Sequence, residues 1–526
     1  MKTKTLIVIA FFQVILWSCH NTSGNYTTRE VEYAPVTEYE ELEQVAPEPE
    51  EDKLSHNTEE YDIIRENQFL NARQNPLSTF SIDVDNASYS NIRRYLDYEL
   101  PPVDAVRIEE MINYFSYDYP QPADRHPFSL TTEVATAPWN KEHYLVHIGL
   151  QGKKLDLDNL KASNLVFLID CSGSMSDRNK LPLLKKSLGI LLDQLGEQDR
   201  VAVVAYAGAA GLVLPSTPAV QKKKILSALN DLQAGGSTAG GQGIELAYQV
   251  AKEHLIEGGN NRVILATDGD FNVGVSSSAD LVRLIEEKRK DDIYLTICGL
   301  GMGNYKDGRM EQISNAGNGN YFYIDDIREA QKVFGREMRA NLFTIAKDVK
   351  MQVEFNPVAV KAYRLIGYEN RKLANEDFDD DLKDAGELGA GHTVTALFEI
   401  VPADSQEPIR QASDLKYQQT SLKDLALTGK DLFTLKLRYK PIGEEKSILL
   451  EEVVPNRVID FKASSANFQF SAAVAGFGLL LRDSQFKGDI TYKKVMDMAN
   501  IGLESDPNGD RADFVQLVRK ASLLDD

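Results

Sequence analysis

Four short apolar runs, each set off from the next by a helical pattern, constrain this chain more than anything else in it. They are Val166–Ile169, Val201–Tyr206, Val263–Ala266 and Tyr294–Leu300. Runs this short, rich in β-branched residues and without polar alternation, predict strands buried on both faces. Between them Leu184, Leu188, Leu191 and Leu195 recur at helical spacing, as do Ile244, Ala247, Ala251 and Leu255. Strand and helix in alternation predict an α/β fold, a doubly wound and mainly parallel sheet of Rossmann-like type. Ligands bind such sheets beyond the carboxyl ends of the strands, near the switch in strand order.

The chain places oxygen donors at those ends. The run Leu165–Ile169 passes directly into Asp170-Cys171-Ser172-Gly173-Ser174. Thr238 sits in the glycine-rich loop Gly235–Gly241, and Asp268 follows Val263–Ala266 in Thr267-Asp268-Gly269-Asp270. Hydroxyls and carboxylates crowded at strand exits suit a hard divalent cation, which prefers oxygen ligands. A loop of small polar residues that merely caps the next helix is the plain alternative, and three pieces at domain-like spacing weigh against it.

In that order the three pieces resemble the metal-ion-dependent adhesion site of the von Willebrand factor type A family. The resemblance implies hydroxyl ligands from Ser172, Ser174 and Thr238 and carboxylates from Asp170 and Asp268, one or both acting through water. It implies Mg2+, or Mn2+ or Ca2+, with one coordination position left for an acidic side chain of a partner protein. A cation held largely by hydroxyls is electron-poor, which favours an incoming carboxylate. Cys171, at the variable position of the motif, is expected to point away from the metal.

The start of the chain is read separately. Lys2 and Lys4 precede an apolar stretch, Leu6–Trp17, too short for a comfortable membrane span. It ends Leu16-Trp17-Ser18-Cys19, which resembles the lipobox of bacterial lipoproteins. That resemblance implies a signal peptide over 1–19, acylation of Cys19 and a lipid-anchored protein of the cell envelope. Because Asp does not follow Cys19, it implies outer-membrane sorting where the cell has two membranes. Residues 20–75 are polar, with the acidic run Glu38–Asp52, and predict a disordered, self-repelling tether. A formal net charge of −21 disfavours nucleic acid and anionic lipid surfaces as partners. Once Cys19 is set aside, Cys171 and Cys298 are expected to be unpaired, buried thiols on strands separated by Val263–Ala266.

The remainder falls around the type A domain, placed at 161–342. In 76–160, Tyr89–Leu96 predicts a helix capped by Ser88 or Asp85, and Pro101-Pro102 separates it from a second helical run, Val106–Phe115. This segment resembles the small domain that precedes the type A domain in a family of bacterial surface and periplasmic proteins. Strand-like pieces follow near Thr132–Thr136 and Tyr144–Leu150. Over 343–460 three alternating sets predict half-buried antiparallel strands, Val349 to Phe355, Val394 to Ile400 and Phe433 to Tyr439. With β segments on both sides, the type A domain is expected as an insertion in a β-sandwich. Residues 461–526 predict helices, and Asp506–Asp510 a turn and cap. They resemble the C-terminal companion domain of the same family.

For an enzyme the sequence offers little. The seven histidines are scattered, and no Gly-x-Ser-x-Gly, Walker A or dinucleotide fingerprint is present. Asp83-Val84-Asp85 resembles the nucleophile motif of haloacid-dehalogenase-type phosphatases, but the other residues that family needs are not assignable here. The expected function is therefore a non-enzymatic, lipid-anchored protein that binds an acidic protein partner through a metal, without a small-molecule substrate. A structural module whose metal ties three loops together, or a phosphohydrolase using Asp83 and Asp85, are the alternatives.

Overall fold

The computed structural model describes residues 59–82, 85–155, 161–207, 209–236, 240–269, 278–303, 305–410 and 421–525. Ser163–Asp170, buried along its whole length, lies inside a six-stranded sheet. The strand order is Tyr321–Ile324, Ile293–Leu300, Asn260–Thr267, Ser163–Asp170, Arg200–Ala207 and Ala209–Pro218. The first five run parallel and the last is antiparallel. Alternate residues of the central strand serve opposite cores, as a strand covered on both faces requires. Leu165, Phe167 and Ile169 share a cluster with Leu184, Leu188 and Leu191 of helix Leu181–Leu192. Val166 and Leu168 share one with Ile244, Ala247 and Ala251 of helix Gly240–Glu253. The doubly wound α/β sheet is thus the observed fold. Leu195 and Leu255 fall just past their helix ends.

The strands on either side of this domain in sequence pair with one another. Phe128–Thr136 and Tyr144–Gly152 join Thr393–Pro402, Val360–Ile366 and Leu70–Asn71 in one antiparallel sheet. Thr344–Phe355 pairs with Leu77–Ser81, Gly386–Gly389 and Asp431–Pro441 in a second, which ends at Ile448–Pro455. The two sheets enclose one apolar core that includes Val146, Ile148, Val353, Phe355, Phe398 and Leu435. Segments 76–160 and 343–460 therefore interleave, and the doubly wound sheet is inserted between Gly152 and Thr344.

Thr393–Pro402 departs from the half-buried expectation, since all ten of its residues are buried. Val394, Ala396, Phe398 and Ile400 face the sandwich core. Leu397 faces a layer of helices instead, Ala466–Leu481 and Asp510–Leu524 together with Ala87–Tyr95 and Ile108–Asn113. The helix expected from Tyr89 begins at Ala87, and neither Ser88 nor Asp85 caps it. Glu110 of the next helix accepts the Ser88 N–H instead, at 2.9 Å. Residues 59–75, read as part of the polar tether, lie on the folded body. Polar anchors hold them, with Glu59 bound to Arg94 at 2.7 Å and Asn67 donating to the carbonyls of Leu365 and Gly367, beside isolated apolar ones, Tyr61, Phe69 and Ala72. Apolar residues spaced so far apart form no run that hydrophobicity could reveal.

Candidate metal centre

Strand order fixes where a ligand can sit. From Ser163–Asp170 the chain moves to one side, through Arg200–Ala207, and later returns on the other through Asn260–Thr267. The crevice opens at that reversal. Asp170 ends one of the two flanking strands and Asp268 follows the other, and both are fully buried.

Local geometry holds the first loop. The Ser172 N–H donates to Asp170 Oδ1 at 2.8 Å, closing an Asx turn, and Thr267 Oγ1 donates to Asp170 Oδ2 at 3.1 Å. Ser172 Oγ and Ser174 Oγ lie 2.9 Å apart, so both hydroxyls stand on the same side of the turn. Met175, fully buried, pins the short helix Gly173–Ser176 beneath them. Two backbone hydrogen bonds, Gly235 N–H to Cys171 O at 2.8 Å and Gly173 N–H to Gly236 O at 3.2 Å, dock the glycine-rich loop against this turn. Thr238, two residues beyond Gly236, lies outside the described residues, as do Cys19 and Asp83.

Asp268 is held differently. Lys180 Nζ donates to its Oδ2 at 3.0 Å, while Oδ1 is buried without a hydrogen-bond partner. A buried, unsatisfied carboxylate oxygen is costly. Burial pushes the Asp170 carboxyl above its ordinary range; the hydrogen bonds from Ser172 oppose this and the nearby Asp268 charge adds to it. Two buried carboxylates, one of them with an oxygen that has no donor, and two adjacent hydroxyls form an oxygen-rich set. The chemistry of that set fits a hard divalent cation.

Of the residues singled out from sequence, the fold brings Asp170, Ser172, Ser174 and Asp268 together. Sequence reasoning did not find Lys180 or Thr267. Thr267 was adjacent to a named ligand, whereas Lys180 arrives from a loop with no distinguishing pattern. Cys171 turns into the apolar cluster on one face of the sheet, and both Cys171 and Cys298 are free and buried. Burial raises their thiols to about 11 and about 12, so neither is a ready nucleophile. Asp85 is buried and accepts from the Tyr321 N–H at 2.8 Å and from Arg371 at 2.9 Å. With Glu110 and Glu311 it makes a second tight carboxylate group. There Arg107 and Arg371 already supply the positive charge.

Family profiles match the chain in succession: "von Willebrand factor" over 55–147, "von Willebrand factor type A domain" over 164–336 and "Uncharacterized protein YfbK, C-terminal" over 340–524. Fold and profiles together define a von Willebrand factor type A protein, a class whose domains act as protein-interaction modules. YfbK of Escherichia coli (strain K12) is 42% identical over 481 residues, 89% of this chain and 82% of that one, and the chain belongs to the YfbK family of type A domain proteins. A 60 kDa magnesium-chelatase subunit of Cereibacter sphaeroides is 34% identical over 129 residues, 24% of this chain and 22% of that one. A solved von Willebrand factor type A structure from Catenulispora acidiphila is 18% identical, covering 77% of this chain and 92% of that one, with a TM-score of 0.41.

Proposed function

We propose that this protein binds a protein partner through a divalent cation held by Asp170, Ser172, Ser174 and Asp268, with Thr238 completing the set. The unpartnered Oδ1 of buried Asp268, a residue that follows the strand next to the one Asp170 ends, is the observation that carries this reading. Mg2+ suits a site of few direct protein ligands, with Mn2+ and Ca2+ as the other candidates. When bound, the cation supplies a Lewis-acidic position that an Asp or Glu side chain of the partner fills. The protein's own groups hold and orient. Thr267 and the Ser172 N–H fix the Asp170 carboxylate, and the two serine hydroxyls are set side by side.

We read the site as binding rather than catalytic, because among the described residues none of its side chains is placed as a general base. The cationic group beside it, Lys180, is engaged with Asp268. The lipobox-like ending at Cys19 supports anchoring by lipid in the bacterial cell envelope, with the outer membrane as the site. Among the described residues no helix is long and apolar enough to cross a membrane.

Calorimetric titration of the purified protein with MgCl2, beside Asp170→Ala, tests the reading. Saturable binding lost in the variant is the expected result. Equal heats for both proteins would overturn it, and normal partner capture by a correctly folded Asp268→Ala would favour a purely structural role for the loops.

A further inference from the structure

The crevice carries a fixed positive charge of the protein's own. Lys180 immediately precedes helix Leu181–Leu192, and its carbonyl accepts the Leu184 N–H at 2.9 Å, so its backbone is set by the helix. Its side chain passes tightly beneath Gly301, whose φ is +74°, and a Cβ on Gly301 would collide with the Lys180 methylenes. This channel delivers the ammonium to Asp268 Oδ2, leaving the side chain only 6% exposed. Asp177, 67% exposed, reaches the same ammonium at 3.8 Å, a contact that water largely screens. The pair is therefore Lys180 with Asp268, buried and built, and it leaves the other oxygen of Asp268 available.

Charge decides what such a site accepts. Asp170, Asp268 and Lys180 together are singly negative, so a divalent cation makes the site singly positive and one incoming carboxylate makes it neutral. Without Lys180 the two aspartates would neutralise the cation by themselves, and a carboxylate would leave the buried site negative. We propose that Lys180 is the residue that sets specificity at this site: it weakens the hold on the divalent cation and, in return, makes the loaded site require an anionic ligand. The inference rests on the metal-dependent reading above and adds to it the residue that makes the site demand the ligand's negative charge. Lys180 acts through Asp268 and the local field, as a positioning and charge-setting residue.

The two effects have opposite signs, which a merely structural ion pair would not produce. MgCl2 titrated into Lys180→Met should bind about tenfold more tightly than into the wild type, because a like charge has been removed from beside the cation. Acetate titrated into the Mg2+-saturated variant should bind about tenfold more weakly. Lys180→Arg, which restores the charge, should return both toward wild type. Lys180→Gln serves as a second neutral variant, and circular dichroism checks that each protein is folded. Unchanged or weaker Mg2+ binding in a folded neutral variant, or unchanged acetate binding, would overturn the role of Lys180 while leaving the metal site in place. A wild type that binds no Mg2+, with or without acetate, would remove the metal site and this inference with it.

Discussion

His143 is clamped between two carboxylates, with Glu399 Oε1 at 2.7 Å from Nδ1 and Glu407 Oε2 at 2.6 Å from Nε2. Burial pulls its pKa down, but the two carboxylates outweigh burial and raise it above the ordinary value. A histidine with a raised folded-state value contributes stability that is whole below its unfolded value of about 6.5 and is lost as pH rises through the folded one. Thermal unfolding should therefore show a stability loss above about pH 6.5 that His143→Gln abolishes. Parallel pH profiles for the two proteins would contradict the assignment. His147 offers the contrast: buried with no charged partner, it is pushed down to about 3 and stays neutral across the same range. The two histidines are four apart in a stretch that reads as strand. Nothing local distinguishes them, because Glu399 and Glu407 come from a distant part of the chain.

Elements differ in how openly the sequence declares them. The four central strands were legible because both faces are largely buried, so each carries an apolar run, interrupted in Ile293–Leu300 by the buried Thr296. The edge strand Ala209–Pro218 was not. It holds Gly211, Pro215 and Pro218, exposes Leu212 and Val213, and needs no pattern because only one side is paired. The grouping of Asp170, Ser172, Ser174 and Asp268 was legible because residues at the ends of adjacent parallel strands must meet. Lys180 was not, since its approach is defined by an absent side chain at Gly301. Gly301→Ala should cost about 1–3 kcal/mol, from strain at positive φ and from the lost channel. Urea unfolding checks this; a variant as stable as the wild type would show that Lys180 has another route to Asp268.

In the whole molecule, the inserted domain is stapled to the helical layer by buried ion pairs. Arg107 binds Glu110 in its own helical segment and Asp307 in the inserted domain, with Glu311 at 3.9 Å. Arg93 reaches across in the same way to Asp325 and Glu329. Breaking a buried pair leaves the surviving charges uncompensated, so Arg107→Met should cost about 3–5 kcal/mol in chemical denaturation. A loss below 1 kcal/mol would mean that water already reaches these groups. Alternation alone predicted strands here but not their partners, since pairings such as Gln151 with Thr393 span the entire insertion. The connections also have a mechanical consequence. The inserted domain joins the sandwich just before Ser163 and at Thr344, which lines one cavity with Asn260 and Asn261 at the amino ends of the strands. The candidate cation site lies at their carboxyl ends. A pull on a ligand held at that end would run lengthwise down Ser163–Asp170 to the first anchor through the covalent backbone, and only the share passed to the neighbouring strands would load their ladder hydrogen bonds, in shear and together.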